Sequence, residues 1–297
     1  MAGDGGYVLI TAARDEAQYI GATIESVIAQ DIQPLRWVIV SDGSTDETDA
    51  IVESFAGRHG FIRLLRRQGS AQRDFSSKVM ALREGMALLE DIACPYLGIL
   101  DADVTFGPDY YRALLQLFDE NPKLGIAGGG LWDKTPGGFV RQVQSLGSVS
   151  GPVQMFRRAC YEQIGGYQPV TCGEDAVAEI SARMHGWETR TFPELKVLHH
   201  RLTGTEGAGV WKARVRLGVQ DHRIGYTPLF EIVRAVSRLR ERPCVLGAAA
   251  LLAGYFGARL RREPYQVSSE FRAYFRREQL HRLKARIGLR GNHEGGV

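Results

Sequence analysis

Cysteine is scarce: the 297 residues hold only Cys94, Cys160, Cys172 and Cys244, and no two of them form a Cys-x-x-Cys pair. A disulfide framework or thiolate zinc site is therefore not expected, and a reduced, cytosolic compartment fits best. No secretory leader pattern opposes that expectation. The seven histidines include the adjacent pair His199-His200 but no zinc-type spacing. Repeats and low-complexity tracts are absent. So is a long apolar run: the stretch from Cys244 to Leu260 has fifteen uncharged residues before Arg259, short of the ~20 a spanning helix needs. It reads as a re-entrant or interfacial segment, or as a packed amphipathic helix.

What is present is ordinary for a folded protein: 44% hydrophobic and 24% charged residues. The length suits one large α/β domain with an appendage. A net charge of +3 conceals an asymmetry. Residues 1–200 carry 18 Lys and Arg against 26 Asp and Glu, a net −8, and residues 201–297 carry 19 against 8, a net +11. A basic tail on an acidic body suggests an anionic partner, nucleic acid or membrane. The aromatic interleaving of a nucleic-acid surface is thin in the tail, which disfavours nucleic acid.

Strand-like and helix-like segments alternate through the first hundred residues. Tyr7–Thr11, Trp37–Ser41, Phe61–Leu65 and Tyr96–Leu100 read as strands, and Glu16–Gln30, Asp46–Gly57 and Ser76–Glu90 as helices. This rhythm implies right-handed crossovers and a parallel sheet. Beyond it, Pro108–Glu120, Arg157–Gly165 and Asp175–His185 read as helices. Gly125–Leu131 reads as a strand approaching a ligand closely, and Thr189–Phe192 and Lys196–His199 as two short strands. A boundary near Arg201 divides the chain into 1–201 and a basic helical extension, 202–297. The small-residue segment Thr203–Gly209 suits a hinge or lid.

Asp101-Ala102-Asp103 closes the apolar run of the fourth strand. Strand ends form the ligand rim of open α/β sheets, and two carboxylates there suit a hard cation, Mg²⁺ or Mn²⁺, shared with substrate phosphates. A solvated loop after a strand fits the same three residues. Asp42-Gly43-Ser44-Thr45-Asp46 follows the second strand; Gly43 permits a turn, Ser44 or Thr45 can cap the next helix, and Asp42 can accept from a base or ribose. Thr11, Ala12, Ala13, Arg14, Asp15 and Glu16 face the same rim, to line a nucleotide or simply to cap. Lys78 can contact a phosphate or stay solvated. Glu174 and Asp175 open a helix, where the dipole alone favours acids; the functional reading is a general base. A histidine at His199-His200 is a further metal ligand, a pyrophosphate donor or a core residue.

In this order the segments resemble the family 2 glycosyltransferases over roughly residues 7–201. The resemblance implies a GT-A fold, a Rossmann-like α/β/α sandwich with a mostly parallel central sheet. It implies Thr11, Ala12, Ala13, Asp15, Glu16, Asp42, Lys78, Asp101 and Ala102 on a nucleotide-sugar donor, and Asp101, Asp103 and His200 on the metal. Asp175 matches the base, and Glu174 its acceptor-positioning neighbour. The expected reaction is inverting transfer of one sugar to a hydroxyl, on a glycan or lipid-linked acceptor at the cytoplasmic face of an anionic membrane. Ala replaces the common Pro before Asp15-Glu16, Gly43 stands where a second Asp is frequent, and the Gln-x-x-Arg-Trp signature of processive synthases is not found beyond Asp175, the same string occurring instead as Gln33–Trp37 at the start of the second strand. Lys212, Arg214 and Arg216, outside the resemblance, can bind an acceptor phosphate, and the Arg-rich helix Glu270–Arg286 can lie on lipid. The competing readings are a sugar nucleotidyltransferase, whose basic Gly-rich loop is missing, and a silent binding module, which the intact acidic pairs disfavour.

Overall fold

The computed structural model describes residues 6–68, 75–142, 145–201, 209–239 and 244–286. They fall into two compact units, Met1–Leu202 and Thr203–Val297.

In the first unit, strands β1 (Tyr7–Ala13), β2 (Arg36–Asp42) and β4 (Tyr96–Leu100) are nearly continuous apolar runs, and β3 (Ile62–Arg67), with three arginines, lies at the sheet edge. Such runs belong to parallel strands covered on both faces. They pair in parallel in the order β3-β2-β1-β4. Side chains alternate between faces. Leu9, Trp37 and Ile39 meet α1 (Ile20–Ile28), α2 (Thr48–Ala56) and α4 (Tyr110–Glu120) on one side. Val8, Ile10, Val38 and Val40 meet α3 (Phe75–Met86), α5 (Arg158–Gln163) and α6 (Glu174–Met184) on the other. This is the expected sandwich.

Past β4 the sheet turns mixed. It continues through β8 (Val153–Arg157), β6 (Leu124–Thr135), β9 (Glu188–His199) and β5 (Val104–Phe106), with β7 (Gly138–Arg141) paired to β6. β8 runs antiparallel to both β4 and β6, and only β6–β9 is parallel in this half. The two short strands expected after Thr189 are one strand, β9, whose register slips where Gly129 and Gly130 face Phe192 and Lys196. Pro193, inside the slip, has no N–H for the ladder. Gly128, Gly129 and Gly130 of β6 make room for neighbouring backbone: a Cβ at Gly129 would stand 2.1 Å from the Leu195 carbonyl oxygen.

The first helix starts later than the sequence suggests. Glu16 to Tyr19 form a turn, because the Glu16 and Ala17 amides donate to Thr48 Oγ1 and Asp46 Oδ2. Asp46, and neither Ser44 nor Thr45, accepts the Thr48 amide at the start of α2, at 3.0 Å.

The second unit is helical: α7 (Val210–Arg223), α8 (Pro228–Ser237), α9 (Cys244–Leu260) and α10 (Ser269–Arg286). Its centre is the crossing of α7 and α9 at two glycines. A Cβ at Gly218 or Gly254 would lie 2.0 Å from the Leu251 or Val215 carbonyl oxygen respectively. Ala250, Leu251, Tyr255 and Ala258 are buried, so α9 packs within this unit on that face, while Val245, Leu246 and Leu260 at its two ends are exposed. Among the described residues no helix is long and apolar enough to cross a membrane. Residues 203–208 of the expected hinge lie outside the described residues.

Candidate active site

The carboxyl ends of β1, β2 and β4, the start of α6 and the end of β9 supply the expected residues. At β1, Thr11 is fully buried and accepts from Trp37 Nε1 at 3.0 Å, so its hydroxyl is committed to the core. Ala12 and Ala13 follow it, half-buried and buried. Asp15 sits at φ +55° and accepts from the Thr45 amide at 2.7 Å, a tie between two loops. At β2, Asp42 is buried, and its two oxygens accept from Arg67 and Ser77. Arg67 was not anticipated. Its signal is positional, since it ends β3 directly opposite Asp42 in the parallel register.

Lys78, on the first turns of α3, is the hub of the cluster. Its Nζ lies 2.7 Å from Asp101 Oδ1 and 3.9 Å from Glu174 Oε1. Burial by itself would lower this ammonium, but the charges of Asp101, Glu174 and Asp175 outweigh it and raise it above its usual value. Burial pushes Glu174 up to about 7, against the pull of Lys78 and with a further push from Asp175. Burial raises Asp175 as well, while the Ala176 amide, 2.8 Å from its Oδ1, opposes the shift. Gly151 makes room for Asp175: a Cβ there would stand 2.8 Å from Asp175 Oδ2.

Asp103 is buried on the far side of the Asp-x-Asp pair. Its Oδ2 faces His199 Nε2 at 3.5 Å and Arg201 Nε at 3.3 Å, and its Oδ1 is buried without a hydrogen-bond partner. Burial would raise this carboxyl, but His199 first, then Arg201 and Lys78, hold it below its usual range. His199 is clamped between two acids, with Nδ1 2.8 Å from Asp133 Oδ1. Burial lowers its pKa, yet Asp103 and Asp133 bring it to about 9. So His199, not His200, faces the carboxylate. The His200 ring lies on Thr105 Oγ1 at 2.9 Å and edge-on to Phe139; burial, with Lys134, lowers its pKa. Arg201 also pairs with Glu16 at 2.5 Å, tying β9 to the loop after β1.

A second unanticipated residue is Glu179, one turn into α6 from the acidic pair. It is buried and accepts from the Val149 amide at 2.6 Å and from Gln154 Nε2 at 3.2 Å. It anchors the segment that carries Gly151.

Chemically, an unpartnered buried carboxylate oxygen at Asp103 beside Asp101 fits one edge of a hard divalent cation. Among the described residues no three His, Cys, Asp or Glu side chains form a complete cage. Of the acceptor candidates, Lys212 and Arg216 are exposed and share one face of α7, whereas Arg214 lies about 200° round the helix from Lys212.

A mixed sheet between two helical layers, with acidic pairs at its rim, defines a GT-A glycosyltransferase. Two solved structures share the fold. One is a mannosyltransferase from Pyrobaculum calidifontis in complex with GDP-Man and Mn²⁺ (17% identity, TM-score 0.56, 97% of this chain and 81% of that one). The other is Staphylococcus aureus TarS in complex with UDP-GlcNAc (14%, TM-score 0.53, 86% and 73%). The family model described as "Glycosyl transferase family 2" matches residues 8–168. The chain belongs to glycosyl transferase family 2. Glu174 and Asp175 lie just beyond the matched span. Similar curated proteins are poly-beta-1,6-N-acetyl-D-glucosamine synthases. That of Staphylococcus epidermidis is 23% identical over 240 residues, 74% of this chain and 55% of the relative. That of Staphylococcus aureus strain COL is 21% identical over 248 residues, 77% and 58%. The chain therefore spans little more than half the length of these relatives.

Proposed function

We propose that this glycosyltransferase is inverting and metal-dependent, and that it moves one sugar from a nucleotide-sugar donor to a hydroxyl on a glycan or lipid-linked acceptor. The observation that carries the reading is the reach of Lys78. One cation joins the Asp-x-Asp pair of β4 to the acidic pair that opens α6, so the leaving-group and attacking sides share a cluster.

In this reading the backbone at Thr11, Ala12 and Ala13 lines the nucleobase, and Asp15, Glu16 and Asp42 order the loops around the base and ribose. Lys78 meets the diphosphate. Asp103 and Asp101 would hold Mg²⁺ or Mn²⁺, and His200, whose pKa burial lowers, is the imidazole assigned to join them. When bound, the cation supplies Lewis-acid neutralisation of the departing nucleoside diphosphate. Asp175, whose proton affinity burial raises, takes the proton of the attacking hydroxyl as general base, and Glu174 orients the acceptor. Displacement in a single step inverts the anomeric carbon, so no covalent nucleophile is required.

Single transfer is favoured by the lack of a Gln-x-x-Arg-Trp signature beyond Asp175, although the named staphylococcal relatives are polymer synthases. Lys212, Arg214 and Arg216 are assigned to an anionic acceptor, and the +11 of residues 201–297 to an anionic membrane at the cytoplasmic face. The test is calorimetry of UDP and GDP with and without Mn²⁺, followed by the product length with a defined acceptor. Nucleotide binding that strengthens with Mn²⁺ and is lost in Asp103→Ala is expected. Equal, metal-independent binding by both proteins would remove the metal assignment, and polymeric product would remove single transfer.

A further inference from the structure

The second unit carries a helix that is inside out. On α8, Leu229, Ile232, Val236 and Leu239, just past its end, are exposed at 59%, 41%, 58% and 38%. Their spacing of three, four and three residues sets them along one face. The opposite face, turned into the unit, carries the charges. Glu231 is fully buried there, and Arg234 pairs with the buried Asp221 of α7. A helix in water is expected to do the reverse, burying its aliphatic side chains and exposing its ions. Ala235, packed with Ala248 and Leu251 of α9, is α8's small apolar contact with its own unit.

What covers the stripe is indicated by charge. The acid of α8, Glu231, is fully buried, so the outer face presents aliphatic side chains and no carboxylate. The unit around it exposes Lys212, Arg216, Arg261, Arg262, Arg276 and Arg277, within a segment of net +11. An aliphatic face without acids, set in a strongly basic unit, matches an anionic lipid surface, where acyl chains meet the stripe and head groups meet the arginines.

We propose that α8 is the membrane-docking element of this chain: the Leu229–Ile232–Val236–Leu239 face lies in the headgroup boundary of an anionic bilayer. The middle of α9 is not that element, because Ala250, Leu251, Tyr255 and Ala258 are buried in the unit and its exposed aliphatics, Val245, Leu246 and Leu260, sit at its two ends. The proposal locates the membrane contact and does not rest on the donor chemistry.

The test is co-sedimentation of the full chain with phosphatidylcholine vesicles containing or lacking phosphatidylglycerol. The wild type is compared with Leu229→Ser/Ile232→Ser/Val236→Ser and with Leu260→Ser, an 83% exposed position at the end of α9. The triple variant is expected to lose at least about tenfold in partitioning onto anionic vesicles, while Leu260→Ser stays within about twofold of wild type. Wild-type binding should weaken with salt yet keep a remainder that the triple variant lacks. UDP binding measured on each protein keeps this result separate from the catalytic reading and reports that the variants are folded. Equal partitioning of wild type and triple variant overturns the proposal. So does a wild-type dimer in light scattering that the triple variant abolishes without change in vesicle binding, which would give the stripe to a second copy of the chain.

Discussion

Adding one methyl group at Gly151 should disable catalysis and leave the fold in place. The new Cβ would stand 2.8 Å from Asp175 Oδ2 and 3.3 Å from its Cβ and Cγ. Ordinary contact begins at 3.4 Å, a shortfall of about 0.6 Å at the oxygen. Gly151 is not among the glycines with positive φ, so alanine brings no backbone strain of its own. The loop cannot easily retreat, because the Val149 amide is held 2.6 Å from the buried Glu179. The displacement therefore falls on the Asp175 carboxylate. A misplacement of about 1 Å can cost on the order of 10²-fold in rate, so Gly151→Ala should lower kcat roughly 10- to 100-fold. Donor affinity and Tm should stay near wild type. The assay is steady-state release of nucleoside diphosphate with Mn²⁺ and acceptor present. Gly60→Ala is the control, since nothing lies within 4 Å of a Cβ there. A wild-type kcat for Gly151→Ala would mean that Asp175 does not need the position it holds in this structure, and the assignment of the base would fail with it.

Two further outcomes follow from the same cluster. Asp175→Asn should fold and bind donor while kcat falls by about 10²–10⁴; turnover close to wild type would pass the base role to Glu174. Glu179, pushed up to about 8 chiefly by burial and opposed by Arg183, holds a proton in the folded chain that the unfolded chain releases near its ordinary value of 4.5. Its contribution to stability is therefore full below about 4.5 and lost as pH rises towards 8. Glu179→Gln should flatten the fall in Tm across that window in thermal melts, and an unchanged slope would show that another group carries it.

Much of this architecture is legible in the sequence because parallel strands covered on both faces leave unbroken apolar runs. Tyr7–Thr11, Trp37–Ser41 and Tyr96–Leu100 each reappear inside a strand. The acidic pairs are legible for a similar reason: each sits where a run stops, at a strand end or a helix start. The antiparallel half is harder to read. β5, β7 and β8 have three, four and five residues, too short for a period to stand out, and what holds them is a partner distant in sequence. The histidine pair shows the consequence. Adjacent strand residues point to opposite faces, so one of His199 and His200 must face Asp103. The choice is made by the β5–β9 register, in which Val104 lies opposite His199 and the His200 amide donates to the Asp103 carbonyl. Neither fact exists before the sheet is assembled.

The helical unit shows the same limit in a sharper form. Leu229, Ile232, Val236 and Leu239 have the spacing that ordinarily marks a core face, and on that rule α8 would bury them. It buries Glu231 instead, 3.5 Å from Arg234 one turn further along α8, the cation that Glu231 shares with the buried Asp221 of α7. Periodicity identifies a two-faced helix; which face turns inward depends on partners that only the packed unit provides. With the ions inside, the aliphatic face is left exposed on a basic unit.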